Sequence, residues 1–180
     1  PLAGTKKSSA EPGFCKRLYI DRYQNEFLQG DGWTSVEVVQ FETNERKFVK
    51  AVLLTNSCDV APENKRDFPA KLTFAPLINL NRYLDNLLSA GLDRQRIQAK
   101  EIAIKEQKVT SLFYLPKGAG LDNDYIALLD DVHTVPFQAF RMREERKKLF
   151  TLGQVGFYLF LLKLSVHFCR FHENVARTPV

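Results

Sequence analysis

The segment 79–108 limits what this chain can become, because it sets two helix signatures between runs of strand signal. "NLNRYLDNLLSAG" opens with an Asn able to cap a helix and places Leu80, Leu84, Leu87 and Leu88 on one helical face. It closes on Gly91, where a helix C-terminus favours glycine. "DRQRIQAKEIAIKEQ" starts from a second cap, Asp93, and spaces Ile97 and Ile104 seven apart. Upstream, "WTSVEVVQF" alternates Val36, Val38 and, after a slip, Phe41. "NERKFVKAVLLT" rises into the continuous apolar run of a central strand buried on both faces, and "KLTFAPLI" is a third strand. Downstream come "VTSLFYLP", a loop "KGAGLDND", and "YIALLDDVHTVPF". Strands, a helical insertion and more strands predict an α+β fold with a small antiparallel sheet or partly open barrel.

The two ends complete this reading. Residues 1–17 begin with the polar "PLAGTKKSSAEPG" and are expected to form a flexible tail ahead of one domain, 18–180, that carries the insertion 79–108. In "FCKRLYIDRYQNEFL" the positions Leu18, Tyr19, Tyr23 and Phe27 predict a short helix, and Gly30-Asp31-Gly32 predicts a turn. The last apolar stretch, 149–168, follows "RMREERKK" and is interrupted by Lys163 and His167, which argues for a buried helix rather than a membrane span. Thr151 and Gln154 have capping-box spacing in front of it.

A chain of 180 residues with 44% apolar content and 14 Phe can bury roughly 70% of its unfolded surface, so no metal or disulfide staple is required. Cys15, Cys58 and Cys169 are odd in number and far apart, and His133, His167 and His172 have no zinc-site spacing. Reduced thiols and a cytoplasmic protein without metal or cofactor are expected. "KGAG" lacks phosphate-loop spacing. The net charge of +5 and pI near 9.1 allow an acidic partner such as nucleic acid.

The run "GDG…VKAVLLTN…LTFAPLI…DNDYIALLDDVHTVPFQAF…LFTLGQVGFYLFLLKLSVHF" resembles the MazF/PemK toxins over roughly residues 30–172. That resemblance implies a small SH3-like barrel of the CcdB/PemK type, single-stranded RNA as substrate, metal-independent endoribonuclease chemistry, a homodimer and a protein antitoxin. Gly30-Asp31 stands where the family opens its first strand with Gly-Asp. The family's catalytic Arg falls on Lys50, followed by Ala51, and its hydroxyl residue falls on Ile78, or on Asn79 with a one-residue slip. Lys keeps a positive charge but lacks the planar fork that grips phosphate, and Ile78 has no hydroxyl. These departures leave a second reading open, a non-catalytic protein- or nucleic-acid-binding module that kept the barrel and lost the site.

The candidate site residues are therefore Lys50, Cys58, Asp59, Asn79 and His133. Cys58-Asp59 ends the second long strand in "VKAVLLTNSCD", with Lys50, Lys65 and Arg66 near in sequence. A thiolate nucleophile would use such cations to lower its pKa; the ordinary alternative is a buried small residue with Asp59 capping the loop. His133 follows Asp130 and Asp131, and an acid–His pair suits general acid–base work, although period two alone would put Asp131 and His133 on one strand face. Cys58, Asp59 and His133 together form only a weak metal-ligand pattern. The basic stretches 94–108 and 141–148 contain interspersed Glu, so they read equally as solvated faces or as phosphate contacts. Trp33, Phe113 and Tyr114 are candidates for base stacking or for core.

Overall fold

The computed structural model describes residues 18–40, 43–61, 63–64 and 67–169. The expectations for the tail 1–17, for Phe41 and for Cys15, Lys65, Arg66 and His172 lie outside these residues. The chain runs β1 (Tyr19–Ile20), β2 (Gly32–Gln40), β3 (Glu45–Leu53) and a single 3-10 turn (Ser57–Asp59). Next are β4 (Lys71–Asn79), α1 (Leu80–Ser89), α2 (Arg94–Lys105), β5 (Leu112–Leu115) and β6 (Tyr125–Leu128). It ends with β7 (His133–Pro136), α3 (Phe137–Arg141), β8 (Lys148–Leu152) and α4 (Gln154–Phe168). The α+β order is the one the sequence predicts.

All pairings of the strands are antiparallel, in the order β1-β8-β2-β3-β4-β6-β5. β4 is shared: one edge holds β3, and the other holds β7 along Lys71–Phe74 and β6 along Leu77–Asn79. The sheet is open, since no ladder among the described residues joins β1 to β5. The loop 116–124 reaches across that gap instead, through Gly120 N–H to the Leu149 carbonyl (2.7 Å) and the Tyr19 hydroxyl to the Pro116 carbonyl (2.8 Å). Gly32 is required where β2 meets β8, because a Cβ there would run into the Phe150 ring.

Three apolar clusters fill the molecule. The first gathers Val52, Leu77, Phe113, Phe150 and Phe160 between the sheet and α4. The second, Trp33, Val36, Leu53, Phe74 and Phe140, lies within β2, β3, β4 and α3. The third, Leu80, Leu84, Ile104, Leu112 and Ile126, seats α1 and α2 on the sheet. Helices of 10 and 12 residues are marginal alone, so this burial, about 1.5–3 kcal/mol per large side chain, holds them in place. Their ends match the sequence: Asn79 Oδ1 accepts from Arg82 N–H (3.1 Å), Asp93 Oδ1 accepts from Arg96 N–H (2.9 Å), and Gly91 takes φ +91° after α1.

Several expectations are corrected. The helix predicted over 14–28 does not run through residues 19–28, because Tyr19 and Ile20 pair with Leu152 and Thr151 of β8; residues 14–17 lie outside those described. β2 carries a slip between Trp33 and Val36, with Ser35 at φ 57°, that the sequence does not signal. β3 is fully buried only over Ala51–Leu53; its first four residues are exposed. "YIALLDDVHTVPF" is two strands, broken by a turn at Leu129–Val132. The T-x-x-Q box does not form: Thr151 belongs to β8, and Gly153 is the N-cap of α4, its N–H bonded to the Leu18 carbonyl at 2.8 Å. α4 buries Gly156, Phe160 and Lys163 but leaves Val155, Tyr158, Leu162, Val166 and Phe168 exposed, so it is one-sided rather than wholly buried. Lys163 donates to the carbonyls of Gln107 (2.8 Å) and Val109, tying α4 to the chain just past α2, and burial lowers its pKa.

Candidate functional site

Strand alternation sends Lys50 to the face of β3 that it shares with Val52, opposite to Ala51. There its ammonium donates to Asp122 Oδ1 and to the Tyr125 hydroxyl, both at 2.7 Å, and lies 4.7 Å from the centre of the Tyr125 ring. Tyr125 in turn donates to Asp122 Oδ1 (2.8 Å). Hydrogen bonds from Lys50 and then Tyr125 hold the Asp122 carboxyl at about 2, below its ordinary range. For Lys50, partial burial works against its charge, but hydrogen bonds to Asp122 and Tyr125 outweigh it and raise the pKa. Asp122 and Tyr125 were not singled out by the sequence reading. They lie 72 and 75 residues from Lys50, and "LDNDY" carries no local signal for a cation partner.

Tyr125 also lines a groove of about 820 Å³ whose walls include Lys47 of β3, Asn79 of β4, Arg82 and Asn86 of α1, and Asp130–His133. His133 opens β7, half-buried, and its Nε2 stands 2.9 Å from Asp131 Oδ1. Asp131 reaches it from the preceding turn, so the pair does not depend on period-two alternation. Beyond His133 lies a second cavity of about 500 Å³, lined among others by Glu37, Arg46, Thr134 and Arg143. Val39, Val132 and His133 line both. Their shared wall puts the His133–Asp131 pair between two hollows, each with two cationic side chains: Lys47 and Arg82 in one, Arg46 and Arg143 in the other. Asn79 faces the groove, but its amide oxygen is engaged as the cap of α1, a structural duty the sequence reading set beside catalysis.

Cys58 and Asp59 are placed elsewhere. They form the 3-10 turn after β3, where the Asn56 side chain accepts from Cys58 N–H (3.0 Å). Cys58 is exposed, against the buried small residue the sequence allowed. It lines a separate hollow of about 460 Å³ with Phe27, Leu28, Val60, Phe137 and Arg141. His133 is not among that hollow's lining, so the sequence-derived trio of Cys58, Asp59 and His133 is not gathered at one site. Among the described residues, no group of three or more His, Cys, Asp or Glu is placed to hold a metal ion.

The other candidates resolve as structure. Trp33, Phe113 and Tyr114 are all buried in the core, so none is free to stack a base. His167 packs its ring against Phe168, 4.7 Å between centroids. Asp31, the Asp of the family-like Gly-Asp, is fully buried and pairs with Lys148 Nζ at 2.7 Å. Its loss of water raises its pKa, although hydrogen bonds from Lys148 and from Leu28 N–H oppose the rise. No helix among the described residues is long and apolar enough to cross a membrane. Comparison with protein-family models and with curated proteins finds no match for this chain.

Proposed function

We propose that the chain is an RNA-acting protein of PemK/MazF-like type, in which the open sheet is a divergent SH3-like barrel and the paired cavities bind single-stranded RNA. The observation that carries this reading is the His133–Asp131 pair, at 2.9 Å, on the wall between two hollows that each hold cations for phosphate. The chemistry that fits these side chains is transesterification by the ribose 2′-hydroxyl. His133 takes the hydroxyl proton, the oxygen attacks the adjacent phosphorus, and the P–O5′ bond breaks as the 5′-oxygen takes a proton from water, giving a 2′,3′-cyclic phosphate. Asp131 orients the imidazole, while the Lys50 ammonium, which gives two of its three protons to Asp122 and Tyr125, keeps a third donor for the charge that builds on phosphorus. A cytoplasmic toxin or defence role, a homodimer and an antitoxin go with this reading. The exposed apolar face of α4 supports a protein contact.

The test is incubation of long single-stranded RNA with the purified protein in EDTA, beside His133→Ala and Lys50→Ala proteins. Cleavage by the wild type is expected, with a loss of about 10²–10⁴-fold in His133→Ala. Cleavage unchanged in both variants would reject the assignment of the site. The second reading, a binding module without catalysis, is favoured by three observations. Asn79 is engaged as a cap, Ile78 has no hydroxyl, and the Lys50 charge is already matched by Asp122. RNA retained intact by a folded wild type would establish that reading instead.

A further inference from the structure

Beside the second cavity the β2–β3 register sets Glu37 opposite Phe48 and Val39 opposite Arg46, so these four side chains share one face of the hairpin. Arg143, from the segment after α3, reaches the same face. Its guanidinium bonds Glu37 Oε2 (2.8 Å) and lies 4.4 Å from the centre of the Phe48 ring. Arg46 bonds the other carboxylate oxygen, Glu37 Oε1, at 3.0 Å. One carboxylate thus answers two guanidiniums, and Arg143 Nε has no hydrogen-bond partner among the described residues. Phe48, with Arg143 over it, remains 61% exposed.

We infer that Phe48, Arg143 and Arg46 form a nucleotide subsite on the flank of the cleavage groove, in which a base stacks on Phe48 and the adjoining phosphate takes the two guanidiniums. This rests on the RNA reading above and assigns the second cavity to the strand's continuation past His133. An aromatic ring with an open face accepts any base, and a guanidinium fork matches phosphate oxygens. Glu37 has two effects: it holds the arginines in place, and it competes with phosphate for them. A pure brace would have only the first. Glu37 and Arg143 are only partly buried, with side-chain exposures of 25% and 21%, and Gln keeps the shape of Glu37 and an amide oxygen for the guanidiniums, so removing the competing charge need not unfold the hairpin.

The experiment measures binding of a 2′-O-methyl decanucleotide, which cannot be cut, to the wild type and to Phe48→Leu, Phe48→Trp and Glu37→Gln proteins. Loss of the ring in Phe48→Leu is expected to weaken binding by at least about fivefold, with Phe48→Trp restoring it. Glu37→Gln is expected to tighten binding and to steepen the salt dependence by about one phosphate contact. Unchanged affinity in Phe48→Leu, or weaker binding by Glu37→Gln in step with a lower melting temperature, overturns the subsite and leaves the RNA reading standing. A folded wild type that does not bind the strand overturns both.

Discussion

Lys50 shows how far a residue can be read without its partners. Its place in the chain and its charge are visible in the sequence, and strand alternation tells which face it takes. What fixes its chemistry is Asp122, in the loop before β6, and Tyr125, the first residue of β6, both brought near by the pairing of β4 with β6. Asp122 is an exposed carboxylate whose pKa is nevertheless held at about 2 by hydrogen bonds from Lys50 and Tyr125. Because the folded value lies below the unfolded one near 3.8, the interaction stabilises the fold above that value. It is lost as pH falls through about 2. A carboxyl-carbon NMR titration of the wild type should give Asp122 a midpoint near 2, and Lys50→Met should return it toward 3.8. The same midpoint in both proteins would mean that the Lys50 contact does not control Asp122. The triad also bears on function, since a phosphate must compete with Asp122 for the Lys50 ammonium.

At the scale of elements, local rules succeed where the signal is local. Asn79, Asp93 and Gly91 mark helix ends because capping depends on groups three or four residues away, and these contacts are the ones found. Thr151-x-x-Gln154 carries the same signature and fails, because Thr151 is already paired with Ile20 in the sheet, a partner 131 residues off that no window reveals. The helix expected over 14–28 fails across 19–28 for the same reason, from the other side of that ladder. The candidate site was legible in the same measure. His133 and Asp131 are near neighbours and pair, whereas Cys58 and His133 needed a fold to bring them together, and it does not. Asn79 offers a direct separation of structure from chemistry. Asn79→Ala should cost about 1 kcal/mol in urea unfolding, and Asn79→Asp should restore it, since either side chain caps a helix. RNA cleavage that follows stability through both variants would assign Asn79 to capping alone; cleavage lost in the stable Asn79→Asp protein would put its amide in the reaction.

At the scale of the molecule, the sheet does not close on itself among the described residues, so its ends are held by other means. The Asp31–Lys148 pair is the most buried of them, with side-chain exposures of 0% and 4%. Lys148, at the start of β8, also donates to the carbonyls of Tyr23 and Glu26 (2.7 Å for the latter) and lies over the Trp33 ring. Asp31 accepts from Leu28 N–H (2.8 Å), and its carbonyl accepts from Leu53 N–H (2.8 Å). One ion pair therefore pins the irregular segment 21–31 to β2, β3 and β8, in the place where the sequence predicts a helix that would have carried its own hydrogen bonds. Charges buried this deeply stabilise only as a pair. Removing one partner leaves the other unmatched at a cost of about 3–5 kcal/mol, more than most surface pairs contribute together. The pH response gives the sign. Desolvation already raises the pKa of Asp31, and a raised acid contributes most to stability when protonated, below its unfolded value, and loses that contribution as pH rises through the folded value. Lys148→Met removes the cation that opposes this rise, which pushes Asp31 further toward its neutral form in the folded variant. Urea unfolding should find Lys148→Met about 3–5 kcal/mol less stable than wild type near neutral pH, with much of the gap closed near pH 4. Adding Asp31→Asn should recover part of the loss at neutral pH, because the amide still accepts from Leu28 N–H without a charge to bury. A gap that stays constant with pH would show that the lost lysine acts through its bonds to the Tyr23 and Glu26 carbonyls, and that the segment 21–31 is held by those contacts rather than by the buried charge pair.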